Sequence, residues 1–169
     1  MMTLAVFLLL SVALFSVGGL LRGWYKEFLA TVGAIVGVLV ITLLEKYVPM
    51  MGALPPKTLF LARAGIFGLA TFFGYQTPRW STAKRELRGF QNAFLGMLLG
   101  ALNGYLVIGM LWHFLDAANY PWPSVIQPPP ASDHLSQVVL SYLPNTFLGV
   151  PGIYIVSALV FVFVIVVIV

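Results

Sequence analysis

The sequence contains no cysteine and very little charge. Without any cysteine among its 169 residues, the chain can form no disulfide, iron–sulfur cluster, thiolate metal site or cysteine nucleophile. Charged residues make up 8% of the chain and hydrophobic residues 60%, whereas about a quarter of a soluble domain is charged. Nine Lys and Arg with five Asp and Glu cannot cover the surface of a water-soluble fold. The composition therefore predicts an integral membrane protein.

The sequence also lacks the motifs of common enzyme classes. It has no H-E-x-x-H, P-loop, dinucleotide-binding fingerprint or nucleophile elbow. We therefore expect no enzyme, no catalytic residue, no metal and no cofactor. The formal net charge of +4 does not indicate nucleic-acid binding, because the basic residues lie in short connections between apolar runs, where they encode membrane topology. The partner that the composition requires is the lipid bilayer.

The apolar runs predict an all-α polytopic fold. A membrane-spanning helix needs about 20 apolar residues, and suitable runs occur at residues 1–21, 27–44, 58–75, 92–114 and 148–169. We predict a four-span domain over residues 1–147, followed by an additional transmembrane helix over residues 148–169. Because the last run ends without a charged or aromatic anchor, we expect the natural chain to continue past Val169.

Basic residues predict the orientation in the membrane. Six of them lie in the first and third connections: Arg22, Lys26, Arg79, Lys84, Arg85 and Arg88. The opposite side has only Lys46 and Lys57. Since an excess of Lys and Arg marks the cytoplasmic side, the N-terminus and the Pro-rich loop at residues 116–149 are predicted to lie outside.

One part of the outer loop has the pattern of a short amphipathic helix. Its apolar residues at helical spacing are Leu135, Val138, Val139 and Tyr142. Ser132 or Asp133 is suited to the N-cap position. We interpret the segment as an interfacial helix on the outer leaflet; the alternative is a docking surface for a partner protein.

Glycines recur at four-residue spacing in two spans. One set is Gly33 and Gly37, and the other is Gly96, Gly100 and Gly104. Glycines on one helix face let another helix backbone approach closely. The approach could occur within the chain, or at a seam with a second copy or another protein. Gly100→Leu is expected to be far more damaging than Gly109→Leu, and Asn103 could add an interhelical hydrogen bond.

Arg63 is the one charged residue well inside a predicted span. It could snorkel to the headgroups or form a structural ion pair. Alternatively, it could meet three residues expected at the same depth and form an intramembrane polar cluster that relays protons or binds a small anion; these residues are Glu45, His113 and Asp116. A lone histidine amid aromatics is only weak evidence that His113 ligates haem or a chlorophyll magnesium.

The end of the first span carries a G-x-x-R-G motif formed by Gly19, Arg22 and Gly23. Together with the glycine series that opens the fourth span, this motif resembles the colicin V production protein family, over roughly residues 2–143. The resemblance implies a multi-pass protein of the bacterial cytoplasmic (inner) membrane, with Gly19 and Gly23 packing helices. It also implies a non-enzymatic role in envelope homeostasis, export or the passage of small solutes or ions.

A second function class remains open. The chain could be a non-catalytic structural subunit of a larger respiratory or photosynthetic membrane complex. Its partners would then be other membrane-protein subunits, or further copies of itself.

Overall fold

The computed structural model describes residues 3–76 and 89–168, and all regular structure in these ranges is helical. Eight helices follow one another: α1 (Leu4–Arg22), α2 (Trp24–Tyr47), α3 (Pro49–Gly52), α4 (Pro56–Gln76), α5 (Phe90–Ala117), α6 (His134–Ser141), α7 (Asn145–Leu148) and α8 (Gly152–Ile168). The all-α fold class predicted from the apolar runs is confirmed. The predicted cytoplasmic connection with Arg79, Lys84, Arg85 and Arg88 lies outside the described residues.

Four helices, α1, α2, α4 and α5, are long and apolar enough to cross a membrane. A bent pair, His134–Leu148 with Gly152–Val166, meets at 61° and raises the number of candidate spans to five. Helix α8 runs antiparallel to α2: the Phe163 ring lies 4.8 Å from the Phe28 ring, and Lys46 Nζ lies 5.9 Å from the Tyr154 ring. These contacts are near opposite ends of α2, so α8 extends along most of its length.

Helices α1 and α2 are joined by a single residue, where the sequence predicts a turn over residues 22–26. Gly23 adopts φ +85°, and its N–H donates to the Gly19 carbonyl at 2.9 Å to close α1. Asn92 of α5 caps the start of α2, since its Oδ1 accepts from the Trp24 N–H at 3.0 Å. The φ value suits glycine, and a Cβ at this position would lie 2.5 Å from Asn92 Oδ1.

The helices pack around α5 in two apolar clusters. One joins α2, α4, α5 and α8, and at its centre the Phe67 and Phe114 rings meet edge-on at 5.8 Å. The other joins α1, α5 and the segment after α6, through buried residues such as Ala5, Trp112 and Leu143. Helix α5 therefore has partners on opposite sides.

The G-x-x-x-G glycines lie in two close helix contacts within the chain. Between α1 and α5, a Cβ added to Gly19 would lie 2.8 Å from the Gly100 Cα, and one added to Gly104 would lie 2.9 Å from the Val12 Cα. Gly96 shares this seam, where its added Cβ would lie 2.9 Å from the Gly23 Cα. These glycines therefore serve packing within the chain.

The second contact joins α2 to α4. A Cβ on Gly33 would lie 2.8 Å from the Gly74 Cα, and one on Gly37 would lie 3.1 Å from the Ala70 Cβ. Gly109, expected from its spacing to be damaged far less by leucine than Gly100, is also closely packed, because its added Cβ would lie 2.6 Å from the Pro144 Cδ. The spacing could not reveal this contact, since Pro144 comes from the segment that folds back after the outer loop.

The outer-loop helix α6 has Asp133 as its N-cap, whose Oδ1 accepts from the Ser136 N–H at 3.2 Å. Of the four residues on its predicted apolar face, Val139 packs towards α1. The other three residues, Leu135, Val138 and Tyr142, are exposed. Their contact with the outer leaflet stays a prediction.

The predicted orientation is tested by single cysteines in a chain that has none of its own. Ser81→Cys should be protected from a membrane-impermeant thiol reagent in intact cells, whereas Ser132→Cys should react, because the Lys and Arg excess places the two on opposite sides. Both should react after the membrane is permeabilised. Labelling of Ser81→Cys but not Ser132→Cys in intact cells would contradict the predicted orientation.

Candidate functional site

A buried polar cluster lies where α1, α2, α4 and α5 meet, next to the Gly23 turn. Its five members are Arg22, Glu27, Thr31, Tyr75 and Asn103, and we name it the Glu27 cluster. Glu27 is in the first turn of α2 and Asn103 is in the middle of α5, and each is only 1% exposed. A carboxylate so fully enclosed within a membrane bundle requires compensating partners.

The Glu27 carboxylate receives those partners from three other helices. Arg22, at the end of α1, places an Nη1 3.0 Å from Glu27 Oε1. Asn103 of α5 donates from Nδ2 to Glu27 Oε2 at 2.8 Å, and the Tyr75 hydroxyl of α4 lies 3.4 Å from the same oxygen. One side chain therefore links four helices.

Thr31 and Asn103 complete the polar network. Thr31 lies one helical turn after Glu27, on the same face of α2. Its Oγ1 is 2.7 Å from Asn103 Oδ1 and 3.0 Å from the Glu27 carbonyl oxygen, so its single proton is donated to one of them at a time. Asn103 Nδ2 also donates to that carbonyl at 2.9 Å. Asn103 thus forms interhelical hydrogen bonds, as its place beside Gly104 suggests.

Arg22 is the member of the cluster with access to its surroundings. Its guanidinium lies over the Tyr75 ring, 4.4 Å from the centroid, and its side chain is 35% exposed, compared with 2% for Glu27. An arginine at a helix end has the length to turn towards headgroups or water. Arg22 is therefore the more exposed partner of the ion pair, although its Nη2 also donates to the Tyr75 carbonyl at 3.5 Å.

The geometry gives each residue of the G-x-x-R-G motif a role. Gly19 permits the close contact with α5, and Gly23 makes the one-residue turn. The turn brings Arg22 back onto the first turn of α2, where Glu27 is located. Sequence reasoning identified Arg22 and Asn103 but missed Glu27, Thr31 and Tyr75. The five-residue separation of Arg22 and Glu27 gave no signal, because it forms a pair only when a single glycine joins the helices.

The polar cluster predicted from Arg63 lies at the other end of α2. Arg63 Nε donates to Glu45 Oε1 at 2.6 Å, and these side chains are 17% and 34% exposed. His113 is half-buried, with its ring 5.9 Å from that of Phe114, and is within electrostatic range of Arg63, Glu45 and Asp116. The structure therefore joins Arg63 and Glu45 directly and places the other two nearby.

Asp116 is exposed at the end of α5, close to Tyr120. The Tyr120 hydroxyl accepts a hydrogen bond from Trp112 Nε1 at 3.1 Å. Burial raises the pKa of Tyr120 to about 12, so this hydroxyl stays protonated at neutral pH. It holds the loop after α5 against the bundle as a neutral group.

An apolar layer separates the two polar clusters. Glu27 and Glu45 are 18 residues apart on α2, which is about 27 Å along a helix. Buried Ile35, Val38 and Phe67 fill the space between them with residues of α5. In the described ranges, no group of three or more His, Asp or Glu side chains is placed to hold a metal ion. The charged side chains of α2 therefore lie towards its two ends, and a buried apolar layer lies between them.

Comparison with known proteins adds one positive finding. The family model described as Colicin V production protein matches residues 4–129, well over half of the chain. Searches of curated proteins and of solved structures found no significant match. The match contains the G-x-x-R-G turn, the close contact between α1 and α5, and the whole Glu27 cluster. The chain therefore belongs to the Colicin V production protein family and is a multi-pass membrane protein.

Proposed function

We propose that this protein is a non-enzymatic component of the bacterial inner membrane that gives small cations, protons included, a path across it. The Glu27 cluster is the cation site in this proposal. The observation that carries it is the Glu27 carboxylate, 1% exposed and bound by side chains from α1, α4 and α5. Ionisable residues inside a membrane bundle are costly and usually mark ion or proton pathways.

The chemistry of the cluster suits a hard cation. Its oxygen atoms come from the Glu27 carboxylate and from the side chains of Thr31, Tyr75 and Asn103. Carboxylate, carbonyl and hydroxyl oxygens are the ligands that such ions prefer. Arg22 now neutralises the carboxylate, so a cation would enter as Arg22 withdraws. The exposed third of the Arg22 side chain supports this exchange.

The rest of the path is closed in this conformation. The apolar layer around Phe67 and Phe114 separates the Glu27 cluster from the opposite end of the bundle. Passage therefore requires a second conformation, in which α5 moves relative to α2 and α4. Losing the hydrogen bonds that Glu27 makes with Asn103 of α5 and Tyr75 of α4 would favour that movement, because they tie these two helices to α2.

The proposal is tested by measuring cation flux in proteoliposomes. Vesicles with the purified protein should show proton, sodium or potassium flux well above that of protein-free vesicles. Glu27→Gln keeps the shape of the side chain but removes the anionic ligand, and it should lower the flux about ten-fold or more, a change equal to 1.4 kcal/mol in the barrier.

Glu45→Gln is the matched control for this experiment. Glu45 is also an ion-paired carboxylate of α2, but its side chain is 34% exposed and lies outside the Glu27 cluster. This variant should keep most of the flux. Wild-type vesicles that are no more permeable than empty ones to any of the three cations would contradict the proposal.

A second candidate function is that of a non-catalytic subunit in a larger membrane complex. One observation favours it: a Cβ added to Gly65 or to Gly68 of α4 would have nothing within 4 Å. Such positions allow a helix of another subunit, or of a second copy, to approach closely. Purification in mild detergent separates the two functions, since co-purifying large subunits or a visible chromophore would favour this one.

A further inference from the structure

A pocket of about 230 Å³ lies at the end of the bundle opposite to the Glu27 cluster. It is formed by the first turns of α1 and α4, the last turns of α5 and the loop that follows. Its walls are apolar and include Phe7, Phe60, Ile108, Trp112, Trp122 and Ile126. Neither the family nor the proposed function assigns a role to this pocket.

The loop is held in place over the pocket. Trp122 meets Phe60 of α4 edge-on at 5.3 Å between ring centroids. The Trp122 carbonyl accepts hydrogen bonds from the N–H groups of Val125 and Ile126, each at 2.9 Å. Trp112, on the α5 wall, is fixed by its hydrogen bond to Tyr120. The pocket is therefore a formed feature of the fold.

A positive charge lies beside this apolar pocket. Lys57, exposed in the first turn of α4, has its Nζ 5.5 Å from the centroid of the Trp122 ring. Neither Lys57 nor Asp116, the acidic residue near this end of α5, lines the pocket, but Lys57 lies against the ring of Trp122, which does. A cation next to an apolar cleft at the level of interfacial tryptophans matches a lipid with an anionic headgroup.

We propose that this pocket binds one acyl chain of an anionic phospholipid, with the lipid phosphate at Lys57. A methylene group occupies roughly the 30 Å³ share of a water molecule, so the pocket has room for about eight methylenes, or half of a typical chain. Because lipid tails are as apolar as the pocket walls, the chain itself gives little preference among lipids. Selection must come from the headgroup charge at Lys57.

The test uses the two tryptophans of the pocket as reporters. The full-length protein carries four tryptophans, and replacing Trp24 and Trp80 by Phe leaves Trp112 and Trp122. This protein is reconstituted in phosphatidylcholine vesicles that contain a minor fraction of lipid with brominated acyl chains, which quench tryptophan fluorescence. Brominated phosphatidylglycerol should bind in the pocket about five-fold more tightly than brominated phosphatidylcholine and therefore quench the two tryptophans more strongly. About five-fold is the preference that one Lys near a membrane surface provides.

Two lysine variants give the experiment its controls. Lys57→Gln should abolish the preference for phosphatidylglycerol over phosphatidylcholine, whereas Lys46→Gln should retain it. Lys46 belongs to the same end of the bundle, but its Nζ lies over the Tyr47 and Tyr154 rings at 5.3 Å and 5.9 Å, away from the pocket. Equal quenching by the two lipids in the parent protein would overturn the proposal. A preference that survives Lys57→Gln would overturn it as well.

Discussion

Gly19→Leu should prevent the protein from accumulating in the membrane in folded form. Residue 19 faces α5 so closely that even a Cβ would lie 2.8 Å from the Gly100 Cα, and it would come still closer to the Gly96 carbonyl oxygen. Backbone atoms cannot rotate away as side-chain atoms can, so α1 and α5 must separate. Overpacking of this kind costs about 1–3 kcal/mol or more. The measurements are the amount of protein in the membrane fraction and its thermal unfolding in mild detergent.

Gly18→Leu is the matched control, because the neighbouring residue of the same helix has nothing within 4 Å of an added Cβ. It should accumulate and unfold like the parent protein. Gly100→Leu, which places the bulk on the α5 side of the same contact, should behave like Gly19→Leu. Equal accumulation and equal thermal stability of the two α1 variants would show that the close contact does not support the fold.

Arg22→Leu should destabilise the protein by about 3 kcal/mol, the lower end of the range for breaking a buried ion pair. The cost comes from Glu27, whose side chain is 2% exposed and would lose its cationic partner. Arg63→Leu should cost about 1 kcal/mol or less. Its partner Glu45 is 34% exposed and can turn towards water or headgroups. Denaturation of both variants in mixed detergent micelles measures the difference.

The double variant Arg22→Leu/Glu27→Leu identifies the source of this cost. If the enclosed carboxylate is responsible, removing it should recover part of the stability that Arg22→Leu loses, so the two single effects will not add. Additive losses would mean that the exposure of the remaining carboxylate does not determine how much stability is lost with the arginine. A larger loss for Arg63→Leu than for Arg22→Leu would mean the same.

The spans and the glycine faces could be predicted because each depends on a local pattern. About 20 apolar residues predict a crossing, and a four-residue repeat places Gly96, Gly100 and Gly104 on one face of α5. The partner of that face could not be predicted, since nothing in the repeat distinguishes α1 from a second protein. The close packing of Gly109 against Pro144 was missed for the same reason.

The Glu27 cluster was missed because it depends on geometry between helices. In the sequence, Glu27 begins the second predicted span, and Arg22 belongs to the excess of basic residues that predicts the cytoplasmic side. The structure continues α1 to Arg22 and begins α2 at Trp24, so the turn contains one residue and both charges belong to helices. Arg63 and Glu45 were easier to pair. Counting residues along each predicted span gives the depth of the side chain in the membrane, and the two depths agree.

Cation binding at Glu27 is the central claim, and the stability of Arg22→Gln in different salts tests it most directly. With Arg22 removed, the carboxylate needs another cation, so sodium or potassium chloride should stabilise this variant relative to N-methylglucamine chloride at the same concentration. At a cation concentration of ten times Kd the gain is about 1.4 kcal/mol. The account predicts a cation-dependent rise in Tm for Arg22→Gln that is absent from Arg22→Gln/Glu27→Gln. An equal rise in both variants, or none in either, would contradict it.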